Sequence, residues 1–96
     1  MLTGKQKRFL RSLGNEMEPI LFVGKEEVTK NVIKQADEVL EAREFIKGRV
    51  LQNCADHPKN IASGLAEAVQ AELVQVIGRN FLLYRPSKEK PQIELP

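Results

Sequence analysis

The spacing of apolar positions changes several times along the chain, and each change marks an element. Phe9, Leu10 and Leu13 fall on one helical stripe, with Lys5, Lys7, Arg8 and Arg11 on the opposite arc. Thr3 precedes Gln6 at capping-box spacing, so a helix is predicted to start at Thr3 and to end at Gly14-Asn15. Pro19 to Val23 is a continuous apolar run of strand length, the pattern of a strand buried on both faces. Gly24-Lys25-Glu26-Glu27 interrupts it. Val28, Val32, Ile33, Ala36, Val39 and Leu40 then share one face of a helix expected from about Val28 to Arg43. From Phe45 to Leu51 the period is two: Ile46, Gly48 and Val50 face one way, and Phe45, Lys47, Arg49 and Leu51 the other. Gly48 is a weak position in that strand. Asp56-His57-Pro58 has the chemistry of a helix start, and Ile61, Leu65, Ala68 and Val69 form the inward stripe of a third helix. Glu72–Ile77 and Phe81–Tyr84 flank Gly78-Arg79-Asn80 as the arms of a hairpin.

The predicted order is α-β-α-β-α-β-β. It describes an α/β chain with a mixed four-stranded sheet and three helices, arranged as two layers. Right-handed crossovers make the first three strands parallel, and the hairpin adds one antiparallel strand. The loop at Gly24–Glu27 and the turn at Gly78–Asn80 then share the edge at the carboxyl ends of the parallel strands, where α/β proteins commonly bind ligands. If the first helix runs back toward its strand, Lys5 and Arg8 join Lys25 and Arg79 at that edge. Residues 1–86 are expected to form one domain. Pro86 to Pro96 contains three prolines and alternating charges, so 87–96 is expected to be a flexible tail.

A length of 96 residues suits a single domain. The lone cysteine, Cys54, allows no internal disulfide and suits a reducing, cytoplasmic setting. The start of the chain lacks the apolar run of a signal peptide, and no stretch approaches the ~20 apolar residues of a membrane span. Net charge is +2 but unevenly spread. Residues 1–15 carry Lys5, Lys7, Arg8 and Arg11 and no acid, whereas residues 16–44 carry eight acids against four bases. Such asymmetry points to a polyanionic partner.

Catalysis finds little support. His57 is the only histidine and lies in a helix cap, and no third group joins it and Cys54 in a triad or metal set. No enzyme activity, cofactor, metal or small-molecule substrate is expected. Gly24-Lys25-Glu26-Glu27, before a helix, can approach a phosphate through backbone N–H groups, with Lys25 as a point charge. Its structural alternative is a simple turn. The basic arc of the first helix suits phosphate contact, its alternative being a solvated face. Lys47 and Arg49 lie on a strand face that is either open and basic or covered by a helix. Phe81 and Tyr84 read as core.

The chain resembles the YhbY-type bacterial form of the CRM domain (chloroplast RNA splicing and ribosome maturation). The resemblance covers residues 2–88. It rests on Leu2-Thr3-Gly4-Lys5-Gln6-Lys7, Val23-Gly24-Lys25-Glu26-Glu27-Val28-Thr29, Ile46-Lys47-Gly48-Arg49-Val50 and Val76-Ile77-Gly78-Arg79-Asn80-Phe81-Leu82-Leu83-Tyr84-Arg85-Pro86. It implies a fold similar to the C-terminal domain of translation initiation factor three, and binding to ribosomal RNA in precursors of the large subunit. It also implies a GxxG loop like that with which KH domains clamp backbone nucleotides. Here Glu27 replaces the second glycine, and Gly48 stands where the family pattern implies a β-branched residue. Glutamate fits that loop position at little cost only if φ is negative; it repels phosphate and favours the following helix. Glu27→Gly is therefore expected to tighten RNA binding and to lower stability.

The resulting expectation is an RNA-binding domain of the pre-ribosomal large subunit. Its contacts would come from Lys5, Lys7, Arg8 and Arg11, from Gly24, Lys25, Glu26 and Glu27, and from Lys47, Arg49, Arg79 and Arg85. The alternative is a protein-docking module on the ribosome that uses the acidic second helix.

Overall fold

The computed structural model describes residues 2–96. Its elements are α1 (Gly4–Gly14), β1 (Leu21–Val23), α2 (Lys30–Arg43), β2 (Phe45–Val50), α3 (Pro58–Ala68), β3 (Glu72–Ile77) and β4 (Asn80–Tyr84). Thr3 caps α1 in a full capping box with Gln6. The Thr29 hydroxyl accepts from the Val32 N–H, so α2 starts two residues later than its apolar stripe suggests. Pro58 opens α3 behind His57, whose ring nitrogen accepts from Lys59 N–H.

The strands form one sheet in the order β1-β2-β4-β3. β1 and β2 are parallel, and β4 is antiparallel to both β2 and β3. The first three strands thus share a direction, as the crossover rule requires. The hairpin strand does not extend the sheet; it fills the gap between β2 and β3. Gly78, at φ +57°, makes the two-residue reversal that a hairpin of this length needs.

α2 and α3 cover one face. Leu21, Val23, Ile46, Val50, Phe81 and Leu83 from the sheet pack there against Ala36, Leu40, Ile61, Ala62 and Leu65. Gly48 belongs to this face too, directly opposite Phe81. A Cβ at position 48 would overlap the Phe81 ring, so the glycine is no weak point but the seat of an aromatic side chain. α1 lies on the other face and adds a partial third layer beyond the expected two. There Leu10 packs with Phe45, Val74, Leu82 and Tyr84, joined by Phe9, Met17, Ile93 and Leu95.

Two expectations change. β1 is not buried on both faces: it is an edge strand, and Phe22 between Leu21 and Val23 is 48% exposed. Residues 87–96, expected to be a flexible tail, contain no regular element but are fastened to the domain. The Glu44 carboxylate accepts from the N–H groups of Ser87, Gln92 and Ile93 at 2.7, 2.6 and 2.8 Å. Glu41 accepts from the Ser87 hydroxyl and from Lys88 N–H. Gln6 of α1 donates to the Pro96 carbonyl.

Candidate functional site

The carboxyl ends of β1, β2 and β3 lie along one edge, and two of the expected site segments meet there. Glu27 N–H donates to the Gly24 carbonyl at 2.9 Å, closing Gly24-Lys25-Glu26-Glu27 as a hydrogen-bonded turn. Lys25 and Glu26 project at its exposed tip. Leu51 N–H donates to Val23 O, and Val50 N–H to Arg79 O, so the turn, the end of β2 and the hairpin are tied together by backbone. The Arg79 guanidinium donates to Leu51 O at 3.1 Å. An open groove of about 430 Å³ follows, lined by Arg49, Val50, Leu51, Gln52 and Arg79. Two guanidinium groups in one groove beside a tight turn suit a phosphate, which Arg can bind bidentately.

Glu27 is the unexpected part of the turn. Its φ is +59°, the left-handed region that favours glycine. The loop therefore keeps a glycine-like path with glutamate in it, at a strain cost of about 1–2 kcal/mol. Glu27 also lies outside α2, which has no acid in its first turn, so the expected help to the helix dipole is absent.

α1 does not join this edge at its basic end. Leu2 N–H donates to Glu72 at the start of β3, while Gly14 lies against Leu82 and the cavity that Ile77 lines. The helix thus runs in the same sense as β3, and Lys5 and Arg8 lie at the edge opposite Lys25 and Arg79. The expected convergence fails because α1 packs on the face away from α2 and α3 and is not part of a crossover unit. Lys5, Lys7, Arg8 and Arg11 remain a surface cluster of their own. α1 has no acid in its first turn to oppose Lys5 at the positive end of its dipole, whereas Arg11 lies in the last turn, where the dipole favours a cation. Among the described residues, no ion pair engages these cations. Cations that gain no ion-pair partner within the fold favour an external anion.

Arg85 leaves the set of candidate contacts. It is 7% exposed, and its guanidinium donates to Asp37 Oδ1 at 2.7 Å, Asp37 O at 3.0 Å and Val69 O at 3.0 Å. This arginine joins α2 to the end of α3. It also occupies Asp37, while Glu41 serves Ser87 and Lys88, so much of the acidic face of α2 is engaged inside the molecule. Lys47 is half-buried in a cavity on the α1 face, away from the Arg49–Arg79 groove. Pattern reading passed over Asn53, whose side chain stands beside Gly24, and Phe22, whose run of apolar neighbours made it read as core.

A family model described as the CRS1 / YhbY (CRM) domain matches residues 2–85. The chain belongs to the CRM-domain family. It is 54% identical over its full length, and over the full length of the relative, to the probable RNA-binding protein YqeI of Bacillus subtilis. It is 42% identical over 87 residues to a probable RNA-binding protein of Methanocaldococcus jannaschii, covering 88% of this chain and 64% of that one. A solution structure from Staphylococcus aureus, of a hypothetical protein described as an RNA-binding candidate, superposes with a TM-score of 0.83. It is 55% identical, with both chains fully covered. In this CRM domain the loop that the family resemblance identified is the turn Gly24–Glu27 at the sheet edge.

Proposed function

We propose that this CRM domain binds RNA mainly through the phosphate backbone, and that its target is ribosomal RNA of large-subunit precursors in the cytoplasm. The observation that carries the proposal is the turn Gly24–Glu27, held in a glycine-like conformation beside the Arg49–Arg79 groove. Strained left-handed residues persist at tight turns where backbone must come close to a ligand. The names of the relatives and the unpaired cations of α1 support the same reading. Two separated basic regions, one at the sheet edge and one on α1, would span more than one phosphate run of a folded RNA.

Salt dependence tests it. Affinity for a large-subunit RNA fragment should fall linearly on a log–log scale with salt, by roughly 0.7–0.9 in slope for each phosphate bound. A shallow slope would instead fit docking to a protein through an apolar centre. The acidic face of α2 is a weaker candidate for such docking, because Asp37 and Glu41 already hold Arg85 and the C-terminal segment. Crosslinking in cells followed by sequencing of bound RNA identifies the target; reads spread over unrelated transcripts would remove the ribosomal assignment.

A further inference from the structure

The sheet face turned away from α2 and α3 is only half covered. α1 and the C-terminal segment close the end built from Phe45, Val74, Leu82 and Tyr84. Beyond them one register row crosses all four strands: Phe22 pairs with Arg49, Arg49 with Asn80, and Asn80 with Ile77. Phe22 is 48% and Ile77 61% exposed, and neither belongs to a core cluster. A half-exposed phenyl ring beside a guanidinium on a flat face is a stacking platform without an occupant in the fold.

Next to this row, where α1 ends, lies an open cavity of about 200 Å³ whose polar lining includes Asn15, Lys47, Gln75 and Asn80. Cavities of roughly 150 Å³ hold a six-membered aromatic ring. Amides and an ammonium are the groups that hydrogen-bond the edge of an unpaired base. Asn80 Oδ1 is buried without a hydrogen-bond partner, an acceptor that a donor on a ligand would satisfy if the amide turned toward it. Among the described residues, no carboxylate occurs in the row or the cavity lining. Strands are about 4.8 Å apart, so Phe22 and Asn80, two strands from one another, are separated by about 10 Å. An RNA strand that spans this distance holds its two bases splayed apart rather than stacked on one another.

We infer that this open face holds an unpaired stretch of RNA, with one base stacked on Phe22 and an adjacent base in the Lys47–Asn80 cavity. The inference rests on the RNA-binding reading and adds to it: phosphate contact at the strand edge needs no unpaired base, whereas this face does.

The chain contains no tryptophan, so Phe22→Trp places a single indole fluorophore on the face. The variant is titrated with a short single-stranded oligoribonucleotide, an abasic oligonucleotide of equal charge, and an RNA duplex. Both anisotropy and indole fluorescence are followed. Binding of the base-bearing single strand should quench the indole, and the abasic strand should not. Phe22→Ala should weaken single-strand binding by about 5- to 150-fold, the worth of one base stack, and leave duplex binding nearly unchanged. Lys47→Ala should weaken the single strand further, with the melting temperature preserved in both variants. Duplex binding without any indole quenching by the single strand overturns this inference and leaves the phosphate-binding reading standing, as does equal quenching by the abasic strand. Failure of all three RNAs to bind overturns both.

Discussion

Glu27 and Gly48 are the residues that the family resemblance singled out, and the structure gives each a different meaning. Glu27 sits at φ +59° and outside the helix whose dipole it was expected to complement. The expected sign of its stability effect therefore reverses. Glu27→Gly should raise stability by roughly 0.5–1 kcal/mol, since the relief of left-handed strain exceeds the added freedom of the unfolded chain. Chemical denaturation measures this directly. RNA affinity should rise as well, by about 0.5–1.5 kcal/mol at moderate salt, because a carboxylate beside phosphate is removed. Glu27→Gln separates the causes: it should improve affinity and leave the strain in place. Weaker RNA binding by both variants would move the interface away from this turn. Gly48 is fixed by close packing instead. Gly48→Ala drives a methyl group into the Phe81 ring and should cost about 1–3 kcal/mol. Adding Phe81→Leu should recover part of that loss, and a double mutant no more stable than Gly48→Ala would exclude crowding between these two side chains as the cause.

At the scale of the element, α1 is a well-capped helix whose cations find no ion-pair partner among the described residues. Its inward stripe supplies Leu10 and Phe9 to the smaller core, while its first turns carry cations where the dipole disfavours them. Replacing Lys5, Arg8 and Arg11 together with Ala should leave the melting temperature nearly unchanged, since the dipole disfavours Lys5 in the first turn and favours Arg11 in the last. The salt slope of RNA binding should fall by roughly 0.7–0.9 for each phosphate that the variant no longer neutralises. An unchanged slope would remove α1 from the interface. Lys5 and Arg8 lie at the edge of the sheet opposite the Lys25 turn, so the effects of replacing these two with Ala and of Lys25→Ala should add within about 0.5 kcal/mol. The apolar pattern identified all three helices, but it placed the start of α2 too early. Val28 packs on the core although it precedes the cap at Thr29, so a side chain can share the helical stripe before the backbone becomes helical.

For the whole molecule, the C-terminal segment is the feature that joins separate parts, and it depends on charge. Burial pushes the Glu44 carboxyl up, but the N–H groups of Ser87, Gln92 and Ile93 outweigh it and hold the pKa below the ordinary 4.5. Glu41 is also held low, chiefly by the Ser87 hydroxyl and Lys88 N–H. A carboxyl with a depressed folded pKa stabilises the fold at pH values above its unfolded pKa, and that contribution fades as pH falls through the folded value. The clasp should therefore loosen in acid below about pH 4.5, seen as faster hydrogen exchange at the amides of Ser87, Gln92 and Ile93. Glu44→Gln should lower stability at neutral pH by about 1–3 kcal/mol and flatten that acid dependence; a variant with an unaltered acid profile would assign the effect to another group. By itself the sequence determined the element order, the shared direction of the first three strands, the inward stripe of α2 and the family, because these follow from local periodicity, capping chemistry and short-range motifs; in α3 it placed Ile61, Leu65 and Val69 inward, but Ala68 is exposed and Ala62 and Ala66 are buried in its place. Tertiary structure alone decided the rest. It inserted β4 between β2 and β3, left Phe22 exposed on an edge strand, placed α1 on the opposite face with Lys5 and Arg8 at the far edge, and buried Arg85 against Asp37. Each of these depends on which element packs beside which, and interactions between residues tens of positions apart leave no period in the chain to read.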